Sequence, residues 1–117
     1  MDIAIKESKS LEDLIRVAEE IGNLKKGSLS LKSRKQIFQL PRMVASNIAR
    51  KELKIHYKEI AQKLKRDRTS VYHYESRHET YFNHWPKYRD LYLAIYKSYF
   101  EIEKKYLLIN DLVKKIK

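Results

Sequence analysis

The 117-residue sequence contains no cysteine, only two glycines and two prolines, and no long apolar run. The absence of cysteine excludes disulfides, thiol catalysis and cysteine-ligated zinc. So few glycines and prolines leave no glycine-rich phosphate loop and little scope for β-hairpins. No stretch approaches the roughly 18 apolar residues that a membrane span requires. The four histidines lack metal-ligand spacing, and no nucleophile is grouped with a base, so we expect no metal, no cofactor and no enzymatic activity.

The commonest residues of the chain are Lys, Leu, Ile and Glu, and with so little glycine and proline this composition favours an all-α fold. Residues 1–9 are expected to be frayed, because Ser10 is suited to cap a first helix over 11–21. The pair Gly22-Asn23 tolerates positive φ and is suited to end that helix.

The middle of the chain predicts three further helices behind a basic loop. The loop spans 24–35 and has room for one short helical turn. Pro41 is typical of a first helical turn and predicts the start of the second helix there. The apolar spacing predicts a third helix over 57–65 and a fourth over 68–81, with Asp67 in the capping position of the fourth.

The last helix is predicted to begin at Trp85-Pro86 and carries a seven-residue apolar repeat. Such a repeat is typical of a coiled coil, although it also suits packing within one chain. We therefore expect a DNA-binding domain over 1–84 and a long amphipathic C-terminal helix over 85–117. Three alternatives remain for this helix: it folds back on the domain, it self-associates, or it binds a partner. The repeat consists of Tyr88, Tyr92, Ile95, Tyr99, Ile102, Tyr106, Ile109, Val113 and Ile116.

The positive charge of the protein is concentrated in one block. The net charge is +11, and residues 24–77 contain 15 basic and 4 acidic side chains, while the charges of the other residues cancel. A protein that is neutral outside one cationic block is suited to bind a polyanion at that block.

A helix-turn-helix pattern lies inside this basic block. A small core between two short helices is formed by Ile60, Ala61, Leu64 and Val71, and the second helix begins near Arg68. In a helix-turn-helix the first residues of the second helix enter the major groove of DNA. The groups at this point suit DNA, since guanidinium forks, hydroxyls and an acceptor carboxylate follow one another in Arg66, Asp67, Arg68, Thr69 and Ser70.

The segments "SLKSRKQIFQLPRMVASNIARKE" and "YKEIAQKLKRDRTSVYHYESR" resemble the C-terminal DNA-binding domain of the bacterial replication initiator DnaA. That family has a basic loop with an Arg, a "PRQ-A" helix and a helix-turn-helix ending in "RDHTTV-HA". The resemblance covers about residues 11–81. It does not extend to the initiator's ATPase domain, because two glycines cannot supply its phosphate loop. The matching positions are Arg34, Pro41-Arg42, Ala45, Glu59-Ile60, Arg66-Asp67, Thr69, Val71 and His73.

The resemblance implies how the bases would be read. The arginine of the basic loop would enter the minor groove, and the start of the second helix would touch base edges in the major groove. Arg68 stands where the family usually has His, and arginine at such a site prefers guanine, so a changed target sequence is expected. The predicted base-contacting residues are Arg34, Asp67, Arg68 and Thr69.

Phosphate contacts are predicted for a second set of residues. The resemblance implies most of them, and the lysines of the third helix add sequence-independent contacts. The turn departs from the family, since Leu64-Lys65 replaces two glycines there, and Met43 replaces the Gln of "PRQ". The predicted phosphate-contacting residues are Arg42, Lys58, Lys63, Arg66, Ser70, His73 and Arg77.

These patterns predict a sequence-specific protein that binds double-stranded DNA in replication control or transcription and is located in the cytoplasm with the nucleoid. A phage or mobile element is a candidate source of such a protein. An alternative is a structural or interaction protein whose C-terminal helix binds a partner and whose basic block binds DNA without sequence preference. A third hypothesis is an inhibitor that competes with an initiator for its sites. Selection of bound duplexes from a random pool distinguishes sequence-specific from non-specific binding.

Overall fold

The computed structural model describes the backbone of residues 3–116 and the side chains of residues 10–105 and 107–115. Within this part of the chain every regular element is helical, which confirms the all-α prediction. None of the described helices has a segment both long and apolar enough to cross a lipid bilayer. The elements are α1 (Ile3–Ile21), a short 3₁₀ turn (Ser28–Ser30), α2 (Gln36–Lys51), α3 (Tyr57–Leu64), α4 (Arg68–His84) and α5 (Pro86–Ile116).

Several helix ends lie where the sequence places them. Asn23 adopts a left-handed backbone conformation (φ 57°) directly after α1, as its neighbour Gly22 and its own side chain predict. The short 3₁₀ turn lies within the basic loop, as expected. Lys54, in the predicted break between α2 and α3, also has a positive φ of 57°.

Two helix starts were predicted wrongly. α1 begins at Ile3, so Ser10 lies inside the helix and does not cap it. α2 begins at Gln36, five residues before Pro41, which therefore lies inside the helix. A proline there removes the hydrogen bond to the residue four positions earlier and crowds the carbonyl of that residue, while Pro41 itself is buried. The amides of Phe38 and Gln39 bond to the carbonyl of Lys35, which marks the true start of α2.

α2 is the central helix of the domain. Every residue from 41 to 49 is buried, because α1, α3, α4 and α5 all pack around it. Burial on all sides is typical of a helix at the centre of a helical domain. The core residues that surround α2 are Leu11, Leu14 and Ala18 of α1, Ile60 and Leu64 of α3, Val71 and Tyr74 of α4, and Tyr88, Tyr92, Ile95 and Tyr99 of α5.

The repeat of α5 divides into two halves. Its first four residues, Tyr88 to Tyr99, are between 0% and 5% exposed and belong to the same core as α1 and α2. The hydrophobic core therefore continues across the boundary predicted between residues 84 and 85. Beyond Phe100 the described apolar residues are exposed, while the side chains of Tyr106 and Ile116 lie outside the described residues.

A buried polar network joins α2, α4 and α5. The Nδ2 group of Asn47 donates to the carbonyl of Tyr74 at 3.0 Å and to the hydroxyl of Tyr88 at 2.7 Å. Nδ1 of His78 lies 2.8 Å from the same hydroxyl. When Nδ1 is unprotonated, the hydroxyl of Tyr88 accepts from Asn47 and donates its own proton to Nδ1, so every member of the network has a partner. Burial raises the pKa of Tyr88 to about 12.

This network makes the stability of the fold depend on the protonation of His78. Burial, and secondarily the charge of Lys51, lower the pKa of His78 below its ordinary value of 6.5, while Glu79 opposes them. When folding lowers the pKa of a histidine, the folded state gains stability from the neutral ring at any pH above the ordinary pKa. This gain is lost as the pH falls from the ordinary pKa to the lower pKa of the folded state.

We expect the thermal midpoint of the protein to fall between pH 7 and pH 5.5 because protonation of His78 removes the acceptor of the Tyr88 hydroxyl. In His78→Gln the fall should be much smaller, since glutamine does not titrate. His84→Gln is the matched control, because His84 lies on the same helix and is exposed. Thermal melts followed by circular dichroism measure the effect, and an equal fall in wild type and His78→Gln would contradict it.

Candidate nucleic-acid interface

The turn between α3 and α4 gives the two helices the arrangement of a helix-turn-helix. Lys65 closes α3 in the left-handed conformation (φ 52°, ψ 49°) that glycine adopts most easily. The amide of Arg66 then bonds to the carbonyl of Ala61 at 2.9 Å. Ile60, Leu64 and Val71 are buried between the helices, so the predicted small core of the motif is confirmed.

The first turn of α4 faces solvent. Asp67, Arg68 and Thr69 are all exposed, and Ser70 is half-buried. Asp67 occupies the capping position, but its side chain makes no capping hydrogen bond. Its carboxylate is therefore free to accept a hydrogen bond from outside the protein, and the helix N-terminus presents partial positive charge beside it.

An ion pair two turns further along α4 fixes the helix against its neighbours. Glu75 accepts from the hydroxyl of Tyr57, at the start of α3, at 2.6 Å, and its other oxygen lies 3.3 Å from Nε of Arg50 on α2. The guanidinium of Arg50 also lies 4.0 Å above the ring of Tyr57, and it donates to the carbonyl of Ile55. One carboxylate thus ties three helices together and sets the direction in which α4 points.

The basic loop is held from both sides by buried charged groups. On one side Oε2 of Glu19, on α1, accepts from the amides of Gly27 at 2.9 Å and Leu29 at 3.2 Å. On the other side the guanidinium of Arg42, on α2, donates to the carbonyls of Leu29 at 2.8 Å, Leu31 at 2.9 Å and Ser33 at 3.1 Å. The loop therefore has a fixed shape although it carries several positive charges.

Arg42 does not have the role predicted from the sequence. We expected a phosphate contact, but Arg42 is 0% exposed and its donors are bonded to the loop and to Oε1 of Gln39 at 2.6 Å. Burial, together with the charge of nearby Arg66, lowers the pKa of Arg42, but an arginine remains charged at neutral pH. Its hydrogen bonds position the loop and leave its donors occupied, so they are not free for a phosphate.

Arg66 joins the loop to the turn of the helix-turn-helix. Its guanidinium donates to the carbonyl of Leu31 in the loop, and also to the carbonyls of Lys65 at 2.9 Å and Leu64 at 3.3 Å in the turn. The carbonyl of Leu31 therefore accepts from both Arg42 and Arg66. This shared acceptor holds the basic loop next to the start of α4.

A cleft of about 530 Å³ results between the loop and α4. Arg34 of the loop lies on the same surface as Thr69 and Ser70 in the first turn of α4. The two predicted DNA-reading elements are therefore neighbours. The sides of the cleft carry cationic and hydroxyl groups, which suit the phosphates and edges of a nucleic acid. The residues that line it are Lys32, Arg34, Gln39, Arg42, Arg66, Thr69, Ser70, His73 and Tyr74.

The other predicted contact residues lie outside this cleft. Arg68 and Asp67 are exposed at the tip of α4, and Lys58 is exposed at the start of α3. Arg77 is exposed one helical turn beyond His73, where it donates to the hydroxyl of Tyr81 at 3.3 Å. Lys63 faces α1, because its ammonium group forms an ion pair with Glu12 and lowers the pKa of that carboxyl.

Two positioning residues, Glu19 and Arg50, were not recognised from the sequence. Glu19 follows Val17 and Ala18 on the apolar face of α1, and an acidic residue on such a face signals a buried partner. Arg50 gives no comparable signal, because it lies at the end of its helix among other basic residues.

The comparison with known families agrees with this geometry. The family described as "Bacterial dnaA protein helix-turn-helix" matches residues 11–77, which is more than half of the chain. The chain belongs to this family. No curated protein and no solved structure matches it. The DnaA helix-turn-helix domain binds double-stranded DNA, and DNA binding is therefore the function that the family assigns to this chain.

We expect Arg42→Ala to destabilise the domain by roughly 2–5 kcal/mol, because it leaves buried carbonyl groups of the loop without a donor. Arg42→Lys should rescue only part of this loss, since an ammonium group cannot reproduce the planar fork. Arg68→Ala is the matched control, because Arg68 is exposed and should leave stability within about 0.5 kcal/mol. Urea unfolding measures all three variants, and equal stability of Arg42→Ala and Arg68→Ala would contradict the assigned role.

Proposed function

We propose that the protein binds a specific sequence of double-stranded DNA, with α4 in the major groove and the basic loop in the adjacent minor groove. The observation that carries this proposal is the cleft in which Arg34 and the first turn of α4 share one cationic surface. A loop held rigidly beside a recognition helix can read two grooves in a fixed register, which is the geometry that combined readout requires.

Base reading falls to four residues in this proposal. Arg68, at the exposed tip of α4, would donate two hydrogen bonds to O6 and N7 of a guanine. Asp67 would accept from the amino group of a cytosine or adenine, and Thr69 would place its methyl group against a thymine. Arg34 would enter the minor groove, whose negative potential attracts arginine. The exposure of all four side chains supports these roles.

Phosphate contacts would fix the register of the protein on the duplex. Ser70 and His73 are suited to this because they line the cleft, and Lys58 and Arg77 because their side chains are exposed. Arg66 would contribute its charge while its guanidinium holds the loop. Lys63 would contribute less, since Glu12 already neutralises it. The role in the cell would be replication control or transcription regulation.

The first test is a selection of bound sequences from a random duplex pool at a stated salt concentration. We expect one preferred sequence for the wild type. Arg68→Ala should relax the preference at one base position and weaken binding to the selected site by about 1–3 kcal/mol. Retention of the same preference at every position by Arg68→Ala would rule out its base-reading role.

The second test compares two lysines of α3. Lys58→Ala should weaken binding to all sequences alike and reduce the slope of log K against log salt by about one charge. Lys63→Ala should have a smaller effect on this slope, because the ammonium group of Lys63 is paired with Glu12. Fluorescence anisotropy titrations with one labelled duplex at several salt concentrations measure both. A steeper loss for Lys63→Ala would mean that the ion pair opens on DNA.

A second candidate function is supported by the exposed apolar residues of α5 beyond Phe100. In this alternative the protein is a structural or interaction protein that uses α5 to bind a partner and binds DNA without sequence preference. The selection experiment separates the two, because non-specific binding yields no enriched sequence from the pool.

A further inference from the structure

The cleft between the basic loop and α4 carries positive charge that no carboxylate of the described residues neutralises. Lys32 and Arg34 of the loop and Arg66 of the turn line it, and none of its lining residues is acidic. These side chains take no part in the ion pairs found among the described residues. Arg66 is bonded to backbone carbonyls, which have no net charge to offset its own. A concave surface with uncompensated cations attracts anions.

The position of the cleft indicates which anion it accepts. In the proposed binding mode α4 lies in the major groove and Arg34 lies in the adjacent minor groove. Neighbouring grooves of a duplex are separated by one sugar-phosphate strand. That strand must therefore pass between α4 and the loop, which is where the cleft lies.

Gln39 of α2 lines this cleft, and Arg42 orients its amide group. Nη1 of Arg42 lies 2.6 Å from Oε1 of Gln39. Because a guanidinium has only donors, the atom of the amide that faces it must be the oxygen. The Nε2 group then lies on the opposite side of the amide carbon. It takes part in none of the hydrogen bonds between described residues, so both of its hydrogens are free to be donated.

The buried guanidinium strengthens this donor. A hydrogen bond from a cation to the oxygen of an amide polarises the amide, and hydrogen bonds in series reinforce one another. Arg42 is 0% exposed and its nitrogens are bonded to the loop and to Gln39. Gln39, in contrast, is half-buried. Its Nε2 group therefore presents a polarised donor at the surface of the protein, above a cation that is itself covered.

On the basis of the DNA-binding mode proposed above, we propose that the cleft holds one phosphate of the DNA backbone and that Nε2 of Gln39 donates to it. Lys32 supplies charge from the loop, and Ser70 and His73 supply donors from α4. Gln39 makes the contact that the sequence suggested for Arg42. Because its Oε1 is bonded to Arg42, one side chain links the bound phosphate to the residue that positions the loop.

The first experiment compares two isosteric changes near the start of α2. Gln39→Glu replaces the donor by a carboxylate, which can still accept from Arg42 but repels a phosphate. It should weaken binding to a selected duplex by at least about tenfold. Gln36→Glu is the matched control, because Gln36 is exposed and lines a separate groove with Leu40 and Leu91. The same added charge is screened by solvent and salt there, and its effect should stay below about threefold. Fluorescence anisotropy at one stated salt concentration measures both.

Equal losses of affinity in the two variants would overturn the proposal, since the added charge alone would then explain them. Circular dichroism melts check that both variants fold. Gln39→Met keeps the length of the side chain without the donor and without a new charge, and it should weaken binding by at least about threefold. Binding of Gln39→Met as tight as that of the wild type would also overturn the proposal.

The base preference separates this contact from the proposed function. The sequence that Gln39→Glu selects from a random pool should match that of the wild type, because Gln39 contacts a phosphate and no base. A wild-type chain that selects no sequence would refute the proposed function. A wild-type chain that has a preference, together with equal affinities of wild type and Gln39→Glu, would refute the phosphate contact alone.

The second experiment locates the phosphate on the DNA. Single phosphates of the selected duplex are replaced, one position at a time, by uncharged methylphosphonate. We expect one position, on the strand between the major-groove and minor-groove contacts, where the replacement weakens the wild type by at least about tenfold and Gln39→Glu by less than about threefold, because the losses of two groups in contact are not additive. Equal losses in both proteins at every position would show that Gln39 contacts no phosphate.

Discussion

The cationic surface of this protein depends on the burial of one guanidinium beneath its basic loop. Lys32, Arg34 and Lys35 repel one another, which opposes a compact shape of the loop. Arg42 gathers three of the loop carbonyls at 2.8–3.1 Å, and Glu19 holds two of the loop amides from the opposite side. Buried charges are tolerated only where hydrogen bonds satisfy them, and here the loop backbone supplies those bonds.

The same set of contacts couples the loop to the recognition helix. Arg66 donates to the carbonyl of Leu31, which also accepts from Arg42. A change in the shape of the loop would therefore displace Arg66 and the turn before α4. Two turns further along α4, Glu75 is held by Tyr57 and Arg50. The orientation of α4 is therefore fixed by side chains whose own positions are set by α2. A surface that must match two grooves of DNA requires this rigidity, because small displacements would break the register of both contacts.

Much of the fold could be predicted from the sequence, since the helix-turn-helix has local signals. Ile60, Leu64 and Val71 show the spacing of its core, and the exposed tip of α4 follows from the polar residues after the turn. The role of Arg42 could not be predicted in the same way, because it follows Pro41 in a motif that suggested a surface helix start. One signal was present: Arg42 precedes Ala45 and Ala49 by three and seven residues, which places it on a buried face of α2.

The last helix shows why a seven-residue repeat cannot by itself distinguish internal packing from association. The repeat of α5 is continuous in the sequence, but a helix of 31 residues is about 46 Å long, whereas the two shorter dimensions of the molecule are 29 and 26 Å. The domain can therefore cover only part of the seam. Tyrosines dominate the covered half, where their hydroxyls find partners such as Asn47 and Glu52. The described apolar residues of the exposed half are aliphatic instead, with no hydroxyl to place against a polar partner.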